Sequence, residues 1–161
     1  GVRKLAGLGC GGFFLLPVDY PLIRWWIIRV LQHIYQKEDK KISRWQSISE
    51  SAAKQSQRGI IPKVLPVMSF EEAVRYASGM DLKVIPYENE KGMSATKDAL
   101  SGLKECRTVG IFIGPEGGYE SSEVELAKEY NIIPISLGKR ILRTETAGLA
   151  LLSMMMLTLE M

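Results

Sequence analysis

Histidine and cysteine are nearly missing from this 161-residue chain: His33 is its one histidine, and Cys10 and Cys106 are its two cysteines. With a lone histidine and no G-x-S-x-G elbow, the sequence offers no Ser-His-Asp set for hydrolysis. Two cysteines so far apart, without C-x-x-C spacing, indicate neither a zinc site nor a disulfide framework. The expectation is therefore no metal and two reduced thiols in a reducing, cytoplasmic compartment. Also missing are the G-x-G-x-x-G of a dinucleotide loop and the lysine of a phosphate-binding loop. No apolar run reaches the length of a convincing membrane span, residues 147–159 coming nearest, and no membrane partner is expected. Internal repeats, low-complexity tracts and linkers are absent from the sequence as well.

What is there suits one globular domain. Hydrophobic residues make up 46% and charged residues 24%, close to the soluble average, and the formal charge of +3 permits a polyanionic partner without requiring one. After Arg3 and Lys4 the uncharged run LAGLGCGGFFLLPV imitates a secretory signal, although charge-free runs of this length also make buried strands and turns. Phe13 to Val18 reads as a buried strand. Leu22 to Tyr35 reads as a helix, because Trp26, Val30 and Ile34 recur at helical spacing; the pair Trp25 and Trp26 fits a core better than base stacking.

Capping-box patterns predict helices from Ser43 to Arg58, from Ser69 to Gly79 and from Ser122 to Tyr130. Ala95 to Lys104 and Thr144 to Leu159 read as further helices, the last so apolar on every side that something besides its own sheet must cover one face. Leu82 to Tyr87, Thr108 to Ile113 and Ile132 to Leu137 read as strands. Strands alternating with helices predict an α/β domain with a mainly parallel sheet, where ligands gather beyond the carboxyl ends of strands. Function is therefore sought in the loops after Tyr87, Gly114 and Gly138.

Two of these loops stand out. In GPEGG, residues 114–118, Gly117 and Gly118 allow a ligand to approach the main chain while Glu116 accepts a hydrogen bond from it; the plainer alternative is a glycine turn with Glu116 facing water. In LGKRILRTETA, residues 137–147, Lys139, Arg140 and Arg143 crowd between a strand and a helix. That turn is either a solvated basic corner capped by Thr144 or an anion site for an RNA phosphate, and the two loops together favour the functional reading. Lys37, Lys40, Lys41, Arg44, Lys54 and Arg58 read by default as a solvated basic face.

IGPEGGYESSEVELAKEYNIIPISLGKRILRTETAGLALLSM closely resembles the C-terminal signature of the ribosomal RNA small subunit methyltransferase E family, within the SPOUT class of knotted RNA methyltransferases. RWQSISESAAKQSQRGIIPKV is similar to that family's segment in which a Trp-bearing helix leads to Gln-x-x-Arg and then Pro. The likeness runs from Ser43 to the end; upstream, Gly7 stands where the family has Glu, and its Arg-Ser pair is missing from VDYPLIRWW. The resemblance implies an α/β SPOUT-type domain with a C-terminal trefoil knot over residues 1–161, read as the catalytic domain without the family's N-terminal PUA-like RNA-binding domain. It implies S-adenosylmethionine as methyl donor, a homodimer, and methylation of uridine N3 in 16S ribosomal RNA or the small ribosomal subunit.

By matching positions, Ile113, Gly114, Pro115, Leu137, Gly138, Ile141 and Leu142 would cup the donor, Glu116, Gly117 and Gly118 would line the same pocket, and Pro86 and Tyr87 would form a third wall. Arg143 would face the substrate and stabilise charge on the uracil, Glu116 would orient the donor or act as base, and Lys139, Arg140 and Arg58 would contact RNA. Two alternatives stay open: another SPOUT enzyme acting on ribose 2′-oxygen or a tRNA base, and a non-catalytic RNA-binding dimer.

Overall fold

The computed structural model describes residues 16–20, 23–29, 38–66, 68–90 and 92–161, with side chains described from Ile42 onward. Among them the strands form one five-stranded sheet in the order β1-β2-β4-β3-β5. These are β1 (Leu16–Tyr20), β2 (Ile23–Arg29), β3 (Leu82–Pro86), β4 (Thr108–Ile113) and β5 (Ile133–Ile135). Only the β1–β2 pair is antiparallel; β2, β4, β3 and β5 run parallel. The helices are α1 (Glu38–Gln55), α2 (Phe70–Ala77), α3 (Ser94–Ser101), α4 (Ser121–Glu129) and α5 (Thr144–Glu160), with a short 3-10 turn at Leu103–Glu105.

LKVIP and TVGIFI lack the alternation of a half-exposed strand because both faces of a central parallel strand are covered. Leu82 to Ile85 and Val109 to Ile113 are indeed buried throughout. Alternate residues feed opposite layers. Ile85 and Phe112 pack with Ala73, Val74 and Ala77 of α2 and with Val124 and Ala127 of α4; Val84, Ile111 and Ile113 pack with Ala99, Leu103, and Leu151 and Met155 of α5. Lys83 is the charged exception in that run, and its ammonium donates to the carbonyls of Met80 (2.8 Å) and Ser78 (3.3 Å) just past the end of α2. Cations are favoured there by the exposed helix carbonyls.

Several expectations need correction. Residues 22–35 were expected to be helical, but 23–29 form β2, paired along its length with β1 and β4. IRWWIIR carries no strict period-2 alternation, so spacing alone reads it as a helix. Ser43 lies inside α1, which starts by Glu38, and does not cap it. The third capping box sits two residues early, on Glu120 and Glu123 rather than Ser122 and Glu125. The residue before α5 is Arg143, with no side-chain cap, so Thr144 is the first helical residue. The box at Ser69 and Glu72 is present as expected. The Phe13–Phe14 start of the first expected strand and Cys10 lie outside the described residues, as do the side chains of Trp25 and Trp26. Among the described residues no helix is long and apolar enough to cross a membrane.

Candidate functional site

The parallel strands all end at one edge of the sheet, and the chain reverses its winding about β3: β4 pairs on one side of it, β5 on the other. Such switch points open a crevice beyond the strand ends. Here it is a cavity of about 550 Å³ lined from three strand exits: Pro86, Tyr87 and Glu88 at the end of β3; Ile113 to Glu116, Gly118 and Tyr119 at the end of β4; and Ser136 to Glu145 with Ala147 after β5. The structure thus brings together Pro86, Tyr87, Ile113, Gly114, Pro115, Glu116, Gly118, Leu137, Gly138, Lys139, Arg140, Ile141, Leu142 and Arg143. Gly117 is not on the lining; it is an exposed corner of the turn closed by the Gly118 amide donating to the Pro115 carbonyl at 3.0 Å. Arg58 lies beyond α1 and off the lining as well.

Local chemistry explains the shape of the walls. Gly118 has φ +75° and Gly138 φ +111°, left-handed values that a side chain disfavours. A Cβ on Gly138 would meet nothing within 4 Å, so the main chain there stands open to the cavity. Gly114 is required by close approach instead: a Cβ would sit 2.9 Å from Cε2 of Tyr119. The Tyr119 ring is buried beneath Gly114 and packs against Phe70 (centroids 5.7 Å apart). Its hydroxyl has no partner among the described residues, and burial, with the nearby Glu123 charge, holds its pKa well above the ordinary tyrosine value.

Beside it the Tyr87 hydroxyl shares a 3.5 Å contact with the Ser121 hydroxyl and accepts from Asn89 Nδ2 at 2.9 Å; these bonds, Ser121 first, draw its pKa below the usual value. The charge is divided: Glu88 and Glu116 come from the β3 and β4 exits, Lys139, Arg140 and Arg143 from the β5 exit, with Glu145 in the first turn of α5. Apolar Ile113, Leu137 and Leu142 lie between. Sequence reasoning missed Glu88, Tyr119, Ser136, Thr144, Glu145 and Ala147, which flank the expected motifs. For Tyr119 and Glu88 the available signal was their adjacency to GPEGG and Tyr87.

A main-chain-rich crevice with apolar walls and carboxylates on its lining suits a heterocyclic ligand that carries positive charge, and its basic rim suits a polyanion. Residues 20–156 match the model of a family described as the RNA methyltransferase domain. The Bacillus subtilis ribosomal RNA small subunit methyltransferase E is 40% identical over 121 residues, covering 73% of this chain and 47% of that protein. A crystal structure of the enzyme of that name from Neisseria gonorrhoeae, bound to S-adenosyl methionine, superposes with a TM-score of 0.65 at 32% identity over 80% of this chain and 53% of the other. A Legionella pneumophila protein described as a methyltransferase, in complex with SAM, gives 0.71 at 28% identity, over 97% and 59%. The chain thus spans about half the length of these relatives. Across 20–156, with β2 to β5, the cleft and the basic rim included, the protein belongs to the RNA methyltransferase domain family.

Proposed function

We propose that this chain is the S-adenosylmethionine-binding, catalytic part of a methyltransferase acting on N3 of a uridine in 16S ribosomal RNA, and that it works as a homodimer. The observation that carries the reading is the single cleft into which GPEGG and LGKRILR converge from opposite sides of β3. S-adenosylmethionine, when bound, supplies a methyl group activated by a sulfonium. The residues fit it: Gly138, where a Cβ would meet nothing within 4 Å, lets a ligand approach the main chain, Leu137 and Leu142 offer apolar walls, and Glu88 and Glu116 offer counter-charge.

Uridine N3 carries a proton at neutral pH, so the chain must help remove it and stabilise the anion left on the uracil. Arg143, on the cleft rim at the start of α5, presents a guanidinium with directed donors for the uracil oxygens. Glu116, the exposed carboxylate of the GPEGG turn on the lining, takes the proton or orients the donor in this reading. Lys139 and Arg140 extend the rim for RNA phosphates. A trefoil knot is part of the proposal. It is supported by β5 pairing outside β3 while α5, after the cleft turn, comes back against β4, where a Cβ on Gly148 would lie 3.6 Å from Ile113 Cγ1.

Calorimetric titration with S-adenosylmethionine is the direct test, and saturable binding of one donor per chain is expected; absence of heat overturns the donor site. Mass analysis of 16S RNA incubated with chain and donor should show base-methylated uridine, whereas a ribose methyl or a modified tRNA base moves the assignment to another substrate.

A further inference from the structure

The last paired residue of β5 is Ile135, whose carbonyl accepts from the Tyr87 amide at 3.0 Å on the β3 side. The next residue, Ser136, turns its amide and carbonyl the other way, toward the sheet edge, where no strand of the described residues lies. Ser136 is buried, and a buried main-chain pair without partners is unfavourable. Thr96 of α3 fills the place of the missing strand. Its hydroxyl donates to the Ser136 carbonyl at 2.7 Å and accepts from the Ser136 amide at 3.1 Å, and Thr96 itself is fully buried. The clamp continues into the cleft, because the Ser136 hydroxyl accepts from the Gly138 amide at 3.2 Å and so fixes the turn in which Gly138 holds φ +111°.

We propose that Thr96 is a positioning residue: one side-chain hydroxyl, 40 residues away in sequence, sets the Leu137–Gly138 wall of the cleft. The wall is the part of the cavity where main chain stands open, so its placement governs how an adenosyl ligand is held. That binding consequence rests on the donor reading above, whereas the mechanical claim does not.

Two readouts separate them. Hydrogen exchange of the Gly138 amide, measured on the full chain well below its melting temperature, should speed up about tenfold or more in Thr96→Val and stay near wild type in Thr96→Ser, which keeps the hydroxyl. Calorimetry with S-adenosylmethionine should show Thr96→Val binding about tenfold more weakly and Thr96→Ser within about twofold. Ala53→Gly, at a buried position of α1 outside the clamp and destabilised in general, should change neither. Should Thr96→Val fail to fold, Ser136→Ala serves: it deletes the Gly138 link while the Ser136 main chain keeps Thr96, so Gly138 exchange should rise with Ser136 exchange unchanged. Unchanged Gly138 exchange in Thr96→Val or Ser136→Ala overturns the proposal, as does Thr96→Ser behaving like Thr96→Val, or Ala53→Gly speeding Gly138 equally. If wild type binds no donor, the donor reading falls and exchange alone decides the role of Thr96.

Discussion

Gly114 shows how tightly single positions are constrained around the cleft. A methyl group there would lie 2.9 Å from a core tyrosine ring that cannot swing into solvent, so Gly114→Ala should destabilise by about 1–3 kcal/mol. Urea unfolding should show a lower midpoint at unchanged slope; an unchanged midpoint would mean that the Tyr119 ring yields freely. Arg143 makes the opposite case. Its carbonyl accepts the amides of Thr146 (2.9 Å) and Ala147 (2.8 Å), bonds that Arg143→Ala retains. The helix start should therefore survive, and the variant should lose turnover by roughly a hundredfold while its donor affinity stays put. Weakened donor binding would instead make Arg143 part of the donor's cradle. At this scale the sequence was readable where glycine marked an unusual backbone, as at Gly118 and Gly138. The Thr96–Ser136 clamp was not: both residues are ordinary in their local context, and only folding brings them together.

Among the elements, β3 and β4 are tied at their entry by one carboxylate. Asp81 Oδ2 accepts from the Thr108 hydroxyl (2.9 Å), the Thr108 amide (2.8 Å) and the Arg107 amide (2.9 Å). These bonds, the Thr108 hydroxyl foremost, hold Asp81 below the 3.8 of a free aspartate. A depressed folded-state pKa contributes stability that is present above the unfolded value and fades as pH falls through the folded one. Wild type should therefore lose part of its stability below about pH 4, and Asp81→Asn should be less stable near neutrality with a flatter acid limb. Parallel urea series from pH 7 to about 2.5 check this, and identical acid limbs would contradict it. Strands β3 and β4 were legible because short apolar runs sat between turn residues. The strand β2 was not, since IRWWIIR carries no strict alternation and its aromatic and β-branched residues happened to fall at helical intervals. Helix starts were missed where Glu120, rather than serine, supplied the cap.

For the molecule as a whole, α5 raises the question of what lies against it. Thr144, Ala147, Leu151 and Met155 face its own core, while Leu157 is 60% exposed on the other side. The proposed dimer should bury that side, so Leu157→Lys should shift sedimentation velocity from dimer to monomer with the fold retained. A wild-type monomer at micromolar concentration would refute the dimer. RNA binding should weaken as salt rises, and Lys139→Ala with Arg140→Ala should lessen the logarithmic slope by about one to two. An unaltered slope would move the RNA path away from this rim. The α/β class and the location of the cleft at strand ends followed from alternation of elements alone; the winding reversal about β3 did not, because strand order leaves no mark in local periodicity.

The cleft's lining runs from Pro86 to Ala147, drawing on three separate stretches of chain. Until the start of α5 has joined the sheet, the pocket lacks a wall. A chain stopped short of α5 should therefore be blind to the proposed donor, however well its sheet has formed.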